Sequence, residues 1–146
     1  MKKLSFVLSL LLILSLCAAL AACGDSSDSS EPNGSAVGDT FAYSGRTITL
    51  SAISEDLGRP FADAGDPAGK WVVFSFAVSD GDSSFSIVPD GFAVNGTAAV
   101  NAAAEFSNGA IAKAGSSLKT TEGMTFSLLF DVDKDAALDR LSLTVK

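Results

Sequence analysis

Lys-Trp-Val-Val-Phe-Ser-Phe-Ala-Val-Ser, residues 70–79 of the 146-residue chain, is the stretch that decides the fold. One set of alternate positions holds Val72, Phe74, Phe76 and Val78, and the other set begins with Trp71. A period of two in β-branched and aromatic residues is typical of a β-strand. The stretch therefore predicts the strongest strand of the chain, in a central position of its sheet.

A second stretch with the same period lies near the end of the chain. Residues 124–132 predict another core strand, with an inward-facing set of Phe126, Leu128, Phe130 and Val132. Shorter segments predict further strands at residues 40–43, 46–53, 85–87, 92–94, 97–100 and 141–145. This number of short strands predicts an all-β fold with a β-sandwich architecture.

The alternation and the turn residues also predict details of these strands. In residues 46–53, the inward-facing set is expected to be Ile48, Leu50 and Ala52. Tight turns are predicted at Ser44-Gly45, at Asp80-Gly81-Asp82 and at Asn95-Gly96, the last being a preferred pair for a type I′ hairpin. Asn95-Gly96-Thr97 also matches a glycosylation acceptor, but the turn is the preferred interpretation. Residues 101–121 predict short strands or loops, and residues 102–105 allow a helical turn.

The N-terminus has the pattern of an export signal. Lys2 and Lys3 precede an apolar run, residues 4–16, and small residues lead to Leu20-Ala21-Ala22-Cys23. This tetrapeptide resembles the bacterial lipobox. The resemblance implies cleavage between Ala22 and Cys23 by a dedicated signal peptidase, which recognises Leu20, Ala21 and Ala22. It also implies a diacylglyceryl group on the Cys23 thiol, and we expect no other cofactor.

The chain is therefore expected to have three parts. Residues 1–22 would be a lipoprotein signal peptide, residues 23–38 a lipidated cysteine with a disordered tether rich in Ser, Gly and Asp, and residues 39–146 the sandwich domain. The expected location is the extracytoplasmic face of the cell membrane. Two alternatives are an uncleaved membrane-spanning helix over residues 4–22 and a buried core helix, although this small β-rich chain offers little to bury such a helix.

Composition limits the chemistry that the folded part can perform. The chain has 10 basic and 17 acidic residues, and loss of Lys2 and Lys3 leaves 8 against 17, a formal net charge of about −9. This charge disfavours nucleic acid and anionic lipid as partners. The chain has no histidine, and its only cysteines are Cys17 and Cys23. Histidine-dependent nucleophiles, ordinary zinc sites and disulfides within the domain are therefore excluded.

Two acidic stretches are the candidate metal sites. Residues 54–69 form a long loop rich in Gly and Pro, and such loops are the first place to look for a site. The acidic residues of this loop are Glu55, Asp56, Asp63 and Asp66. Asp131, Asp133 and Asp135 have the opening spacing of an EF-hand calcium loop. Ala136 and Ser142 replace the glycine and the bidentate glutamate of that loop. Solvated acidic loops are therefore the preferred interpretation of both stretches.

No catalytic residues are predicted, and the chain is expected not to be an enzyme. Residues 116–119 match the Ser-x-x-Lys motif of penicillin-binding enzymes, but the accompanying motifs are missing. Residues 65–70 are one position short of a phosphate-binding loop, and Trp71 follows where Ser or Thr would bind magnesium.

Four segments together resemble a broad family of bacterial immunoglobulin-like lipoprotein domains of unknown function. They are V-G-D-T-F at residues 37–41, G-K-W-V-V-F-S-F-A-V at 69–78, E-G-M-T-F-S-L-L-F-D-V-D-K-D at 122–135 and L-S-L-T-V at 141–145. The resemblance implies an immunoglobulin-like sandwich displayed outside the cytoplasmic membrane. We expect a binding or interaction module whose partner is an unknown protein or small molecule at the cell surface. The alternative is a calcium-dependent or sensory accessory protein that uses the acidic loops.

Overall fold

The computed structural model describes residues 34–78, 85–105, 109–114, 118–120 and 124–146. These residues belong to one compact unit, Pro32–Lys146. They form β-strands and three single-turn 3₁₀ helices, Arg59–Phe61, Pro89–Gly91 and Leu138–Arg140, without an α-helix. Within the described ranges, no helix has the length and apolar character needed to cross a bilayer. The predicted signal peptide, the lipobox at residues 20–23 and the predicted turn at residues 80–82 lie outside these ranges.

The described strands, numbered along the chain, are β1 Thr40–Tyr43, β2 Arg46–Ser54, β3 Lys70–Val78, β4 Phe85–Ile87, β5 Phe92–Val94, β6 Thr97–Ala98, β7 Asn101–Glu105, β8 Ile111–Ala114, β9 Leu118–Thr120, β10 Thr125–Val132 and β11 Leu143–Val145. Six of them form one antiparallel sheet in the order β1-β2-β3-β10-β7-β8. The two strands with the clearest alternation, β3 and β10, lie side by side at its centre. The predicted central position of residues 70–79 is thus confirmed for the described strand β3.

Two smaller antiparallel sheets, β11-β5-β6 and β4-β9, complete the all-β architecture. Their buried side chains join those of the six-stranded sheet in one main core. The aromatic centre of this core is Phe92 of β5, whose ring centroid lies 4.6 Å from Tyr43, 6.0 Å from Phe76 and 6.2 Å from Phe126. Because β5 and the six-stranded sheet pack through these rings, the domain is a sandwich with a single large core.

The two described hairpin turns have the predicted backbone geometry. Ser44 and Gly45 join β1 to β2 with φ of 49° and 75°, and Asn95 and Gly96 join β5 to β6 with φ of 49° and 86°. Positive φ at both central residues is the requirement of type I′ hairpin turns. The Asn95 side chain also accepts a hydrogen bond from the Ser142 backbone N–H at 2.9 Å. This bond attaches the turn to the segment that leads into β11.

One inward-facing residue of β2 was predicted wrongly. The register between β2 and β3 shifts between Leu50 and Ala52, which leaves Ser51 as the extra residue of a β-bulge. Ile48 and Leu50 are fully buried as predicted, but Ala52 is exposed, and Ile53 packs against the core instead. A bulge shifts the alternation by one position, so that every later side chain of the strand changes face.

Residues 101–105 form β7, one of the short strands or loops predicted for residues 101–121, and the alternative of a helical turn over residues 102–105 does not occur. Three consecutive alanines, Ala102, Ala103 and Ala104, are all buried, because β7 is paired with both β8 and β10 and is covered on both faces. The predicted strand 97–100 ends early, at Ala98. The Val100 N–H then donates to the Leu129 carbonyl at 2.7 Å. At this bond the chain passes from β6 to the six-stranded sheet.

The domain begins before residue 39, the boundary that we predicted. Gly34 N–H donates to the Asp139 carbonyl at 3.1 Å, and Ser35 N–H donates to the Leu141 carbonyl at 2.8 Å. Gly38 N–H donates to the Leu50 carbonyl at 2.8 Å. The polar, glycine-rich composition of residues 34–38 predicts a tether, but the backbone N–H groups of residues 34, 35 and 38 are hydrogen-bonded to the sandwich.

Candidate functional site

The long loop at residues 54–69, called the strap, lies on the outer face of the six-stranded sheet, opposite the main core. Its Phe61 is buried and packs with Val73, Ala103 and Leu129, which belong to β3, β7 and β10. Four partly buried side chains surround this second apolar cluster, namely Leu57, Ala64, Trp71 and Ile111. The outward-facing apolar residues of the central strands are therefore covered by the strap.

Polar contacts attach the strap along its length. Near its start, Lys70 Nζ lies 2.5 Å from Glu55 Oε1. On either side of Phe61, Arg59 pairs with Glu105 and Asp63 pairs with Lys113. The hydrogen bond and the positive charge of Lys113 hold the pKa of Asp63 below its ordinary value. Near the end of the strap, the Trp71 indole N–H donates to the Gly65 carbonyl at 2.6 Å.

Asp131 of β10 fixes the end of the strap. Its two carboxylate oxygens accept hydrogen bonds from the backbone N–H groups of Ala68, at 2.8 Å, and Gly69, at 2.9 Å. Gly69 also approaches the backbone of β10 so closely that a Cβ atom there would lie 1.9 Å from the Val132 carbonyl oxygen. Only glycine fits this approach. The carboxylate that the sequence suggested as a cation ligand therefore binds protein backbone.

The acidic turn after β10 is also organised by internal hydrogen bonds. Asp133 Oδ1 accepts a bond from the Asp135 N–H at 2.8 Å, and the Asp133 carbonyl accepts one from the Ala136 N–H at 3.0 Å. Lys134 forms an ion pair with Asp135. An open groove of about 480 Å³ lies beside this turn and is lined by Ala68, Gly69, Asp131, Val132, Asp133 and Lys134. The end of the strap and the turn after β10 thus both line this groove.

The structure distributes the candidate metal ligands over separate places. Asp131 and Asp133 line the groove, and Asp135 lies in the same turn. Asp63 is held by Lys113 of β8 on the outer face, and Asp66 is exposed. Within the described ranges, no three acidic, histidine or cysteine side chains are grouped so that they could hold a metal ion. A calcium ion at the groove would have to share the Asp131 carboxylate with the two backbone N–H groups that it already binds.

We expect calcium to leave the stability of the domain unchanged. Thermal unfolding in a chelator and in millimolar calcium should give midpoints within about 1 °C, because a ligand stabilises a fold only if it binds the native state. Magnesium at the same concentration controls for general ionic effects. A rise of about 4 °C or more with calcium alone would contradict this prediction and would restore the calcium-dependent alternative, since about 1 kcal/mol produces such a shift in a domain of this size.

Little in the sequence indicated which residues hold the strap. No motif marks Glu105 or Lys113, and their partners Arg59 and Asp63 lie about 50 positions away in the chain. Phe61 did offer a signal, since a lone phenylalanine between runs rich in Gly and Pro has to be buried somewhere. The predicted site residues Leu20, Ala21, Ala22 and Cys23 lie outside the described residues.

No family model, curated protein or solved structure matches the chain.

Proposed function

We propose that this protein is an extracytoplasmic lipoprotein, anchored through a diacylglyceryl group on Cys23, that presents an immunoglobulin-like sandwich as a binding or interaction module. The observation that carries the anchor is the lipobox match at Leu20-Ala21-Ala22-Cys23, and the structure adds a fixed position at which the N-terminal segment joins the domain. Gly34 and Ser35 are hydrogen-bonded to the backbone at Asp139 and Leu141, and the Ser35 hydroxyl oxygen accepts a bond from the Leu143 N–H at 2.8 Å. A polar segment of ten residues separates Cys23 from Gly34.

This attachment defines a base of the domain. The base contains the connection from β10 to β11 and the Asn95-Gly96 turn, whereas the Ser44-Gly45 turn lies at the opposite end of the strands. Eleven residue steps from Cys23 to Gly34 span at most about 40 Å when fully extended. An anchored domain would therefore remain within that distance of the bilayer, with its sheet faces and its far end accessible to a partner.

The path of the first segment supports the immunoglobulin-like assignment. Residues 34 and 35 bond to the segment before β11, in one layer, and residues 38–43 bond to β2, in the other. A first segment shared between two sheets is compatible with a closed Greek-key sandwich. Sandwiches of this kind serve many unrelated functions, so the partner has to be found by experiment. The proposed partner is a protein or small molecule at the cell surface.

Substitution of the proposed lipidation site tests the anchor. Cells producing the wild-type chain or the Cys23→Ser variant would be labelled with an alkyne fatty acid and separated into membrane and soluble fractions. We expect the wild-type chain to carry the label and to sediment with membranes. The variant should lose the label completely, because serine has no thiol to form the thioether.

Cys17→Ser is the matched control, since this cysteine lies in the same N-terminal region but outside the lipobox. It should be labelled like the wild type. Retention of label in Cys23→Ser, or a wild-type chain without label, would overturn the proposed anchor. Mass spectrometry of the membrane-extracted chain would then identify its true N-terminus and any other modification.

A further inference from the structure

We propose that the strap is a releasable cover: residues 57–64 leave the outer face of the six-stranded sheet while the sandwich stays folded. Release would expose an apolar socket lined by Val73, Ala103 and Leu129 and large enough for one aromatic ring. It would also free Glu105 and Lys113, which flank this socket, from their strap partners. The inference concerns the folded domain and holds whether or not the chain carries a lipid.

The apolar contacts of the strap are separate from the main core. Phe61 packs only within the second cluster, together with Leu57 and Ala64, and no residue of the segment 57–64 belongs to the main core cluster among the described residues. The inner faces of β3, β7 and β10 keep their own partners when this segment leaves. Opening therefore removes one buried aromatic ring from its socket without disturbing the packing between the sheets.

The polar contacts that hold the middle of the strap are exposed. The side chains of Arg59 and Glu105 are 72% and 45% exposed and lie 3.9 Å apart, and the Asp63 side chain is 79% exposed. Exposed ion pairs contribute little to stability because water and salt screen them. Release also returns conformational freedom to the backbone of several residues. Local opening should therefore cost much less than global unfolding.

Bonds at both ends limit the part that moves. At the start, the Ser54 hydroxyl accepts a bond from the Asp56 N–H at 2.9 Å, and Lys70 of β3 pairs with Glu55. At the end, Trp71 holds Gly65, and the Asp131 carboxylate holds residues 68 and 69. The segment between these attachments carries Phe61 and can swing without releasing either end.

Cysteine accessibility tests this proposal directly. Two variants, Ala103→Cys and Ala104→Cys, would be made in the full chain with Cys17 and Cys23 replaced by serine. Both alanines are buried in β7, but Ala103 lies under the strap and Ala104 faces the main core. We expect the thiol of the Ala103→Cys variant to react with a thiol reagent at least tenfold faster than that of Ala104→Cys. Its rate should not depend on low urea concentrations, because a local opening exposes little surface.

A second variant and a label-free measurement make the result decisive. Adding Phe61→Ala should increase the labelling rate of the Ala103→Cys variant at least a further tenfold, and this rate should stay independent of low urea concentrations while that of Ala104→Cys stays urea-dependent. In the chain without introduced cysteines, the Ala64 amide, which bonds to the Phe61 carbonyl at 2.9 Å, should exchange with solvent hydrogen faster than the amides shared by β3 and β10. Equal labelling rates with the same urea dependence, or an Ala64 amide as protected as the central strands, would overturn the proposal.

Discussion

Phe92→Ala is expected to lower the free energy of unfolding by about 3–5 kcal/mol, the range found when a buried phenylalanine is truncated to alanine. Phe92 is fully buried, and its ring lies next to three other aromatic rings, those of Tyr43, Phe76 and Phe126. Phe92 comes from the short strand β5, whereas its three partners belong to the six-stranded sheet. The substitution therefore leaves a cavity between the two layers.

Urea denaturation followed by Trp71 fluorescence and by circular dichroism would measure this change. Because natural domains are stable by about 5–15 kcal/mol, such a loss removes a large part of the total. Phe92→Leu, which preserves most of the volume, should cost less than about 1.5 kcal/mol. Val100→Ala controls for an exposed apolar residue, since Val100 is 53% exposed, and should change stability by less than about 0.5 kcal/mol. A loss below about 1 kcal/mol in Phe92→Ala would contradict the assignment of Phe92 to the centre of the core.

The strands could be predicted because their signals are local. Alternation in residues 70–79 and 124–132 requires only that one face of a strand be buried, and the two Xaa-Gly turns require only a backbone with positive φ. These signals identified β1, β3, β5, β10 and β11 with nearly correct bounds. Such features determine where a strand lies and which side chains it buries. They do not determine its partners in the sheet.

The error in β2 and the ambiguity in β7 arose where pairing with other strands overrides local preference. Nothing in the residues around Ser51 distinguishes a bulge from a regular strand, and the bulge exists because β2 has one residue more than the facing segment of β3. Alanine has a high helix propensity, so residues 102–104 allowed a helical turn. They form a strand because β8 and β10 pair with both of its edges.

The candidate site was the least predictable part of the molecule. A carboxylate has the same local appearance whether it binds calcium, water or a backbone N–H group. Asp131 accepts bonds from residues 62 and 63 positions earlier in the chain, and Asp63 pairs with a lysine 50 positions later. Only the assembled sheet brings these groups together. The composition of the long loop correctly marked it as unusual, but the distinguishing feature is its attachment to the sheet.

Asp131→Ala is expected to lower the free energy of unfolding by about 2–3 kcal/mol, and to do so equally in the presence of a chelator. The substitution removes the acceptor of two charge-assisted hydrogen bonds and leaves the N–H groups of Ala68 and Gly69 without that partner. Gly69 is partly buried against β10, so water can compensate only in part. This loss of stability is expected to arise at the end of the strap, where β3 begins to pair with β10.

Measuring stability both in calcium and in a chelator distinguishes two possible roles of Asp131, as an acceptor of backbone hydrogen bonds and as a metal ligand. If Asp131 served calcium, its removal would matter only when calcium is present, and wild type and variant would have equal stability in the chelator. Asp66→Ala is the matched control, because Asp66 is an exposed acidic residue of the strap, and it should change stability by less than about 0.5 kcal/mol. Asp131→Asn should cost more stability than Asp66→Ala and less than Asp131→Ala. The amide keeps one oxygen acceptor but directs a donor at the second N–H group. A loss seen only in calcium would show that the two backbone bonds contribute nothing and that Asp131 acts as a ligand.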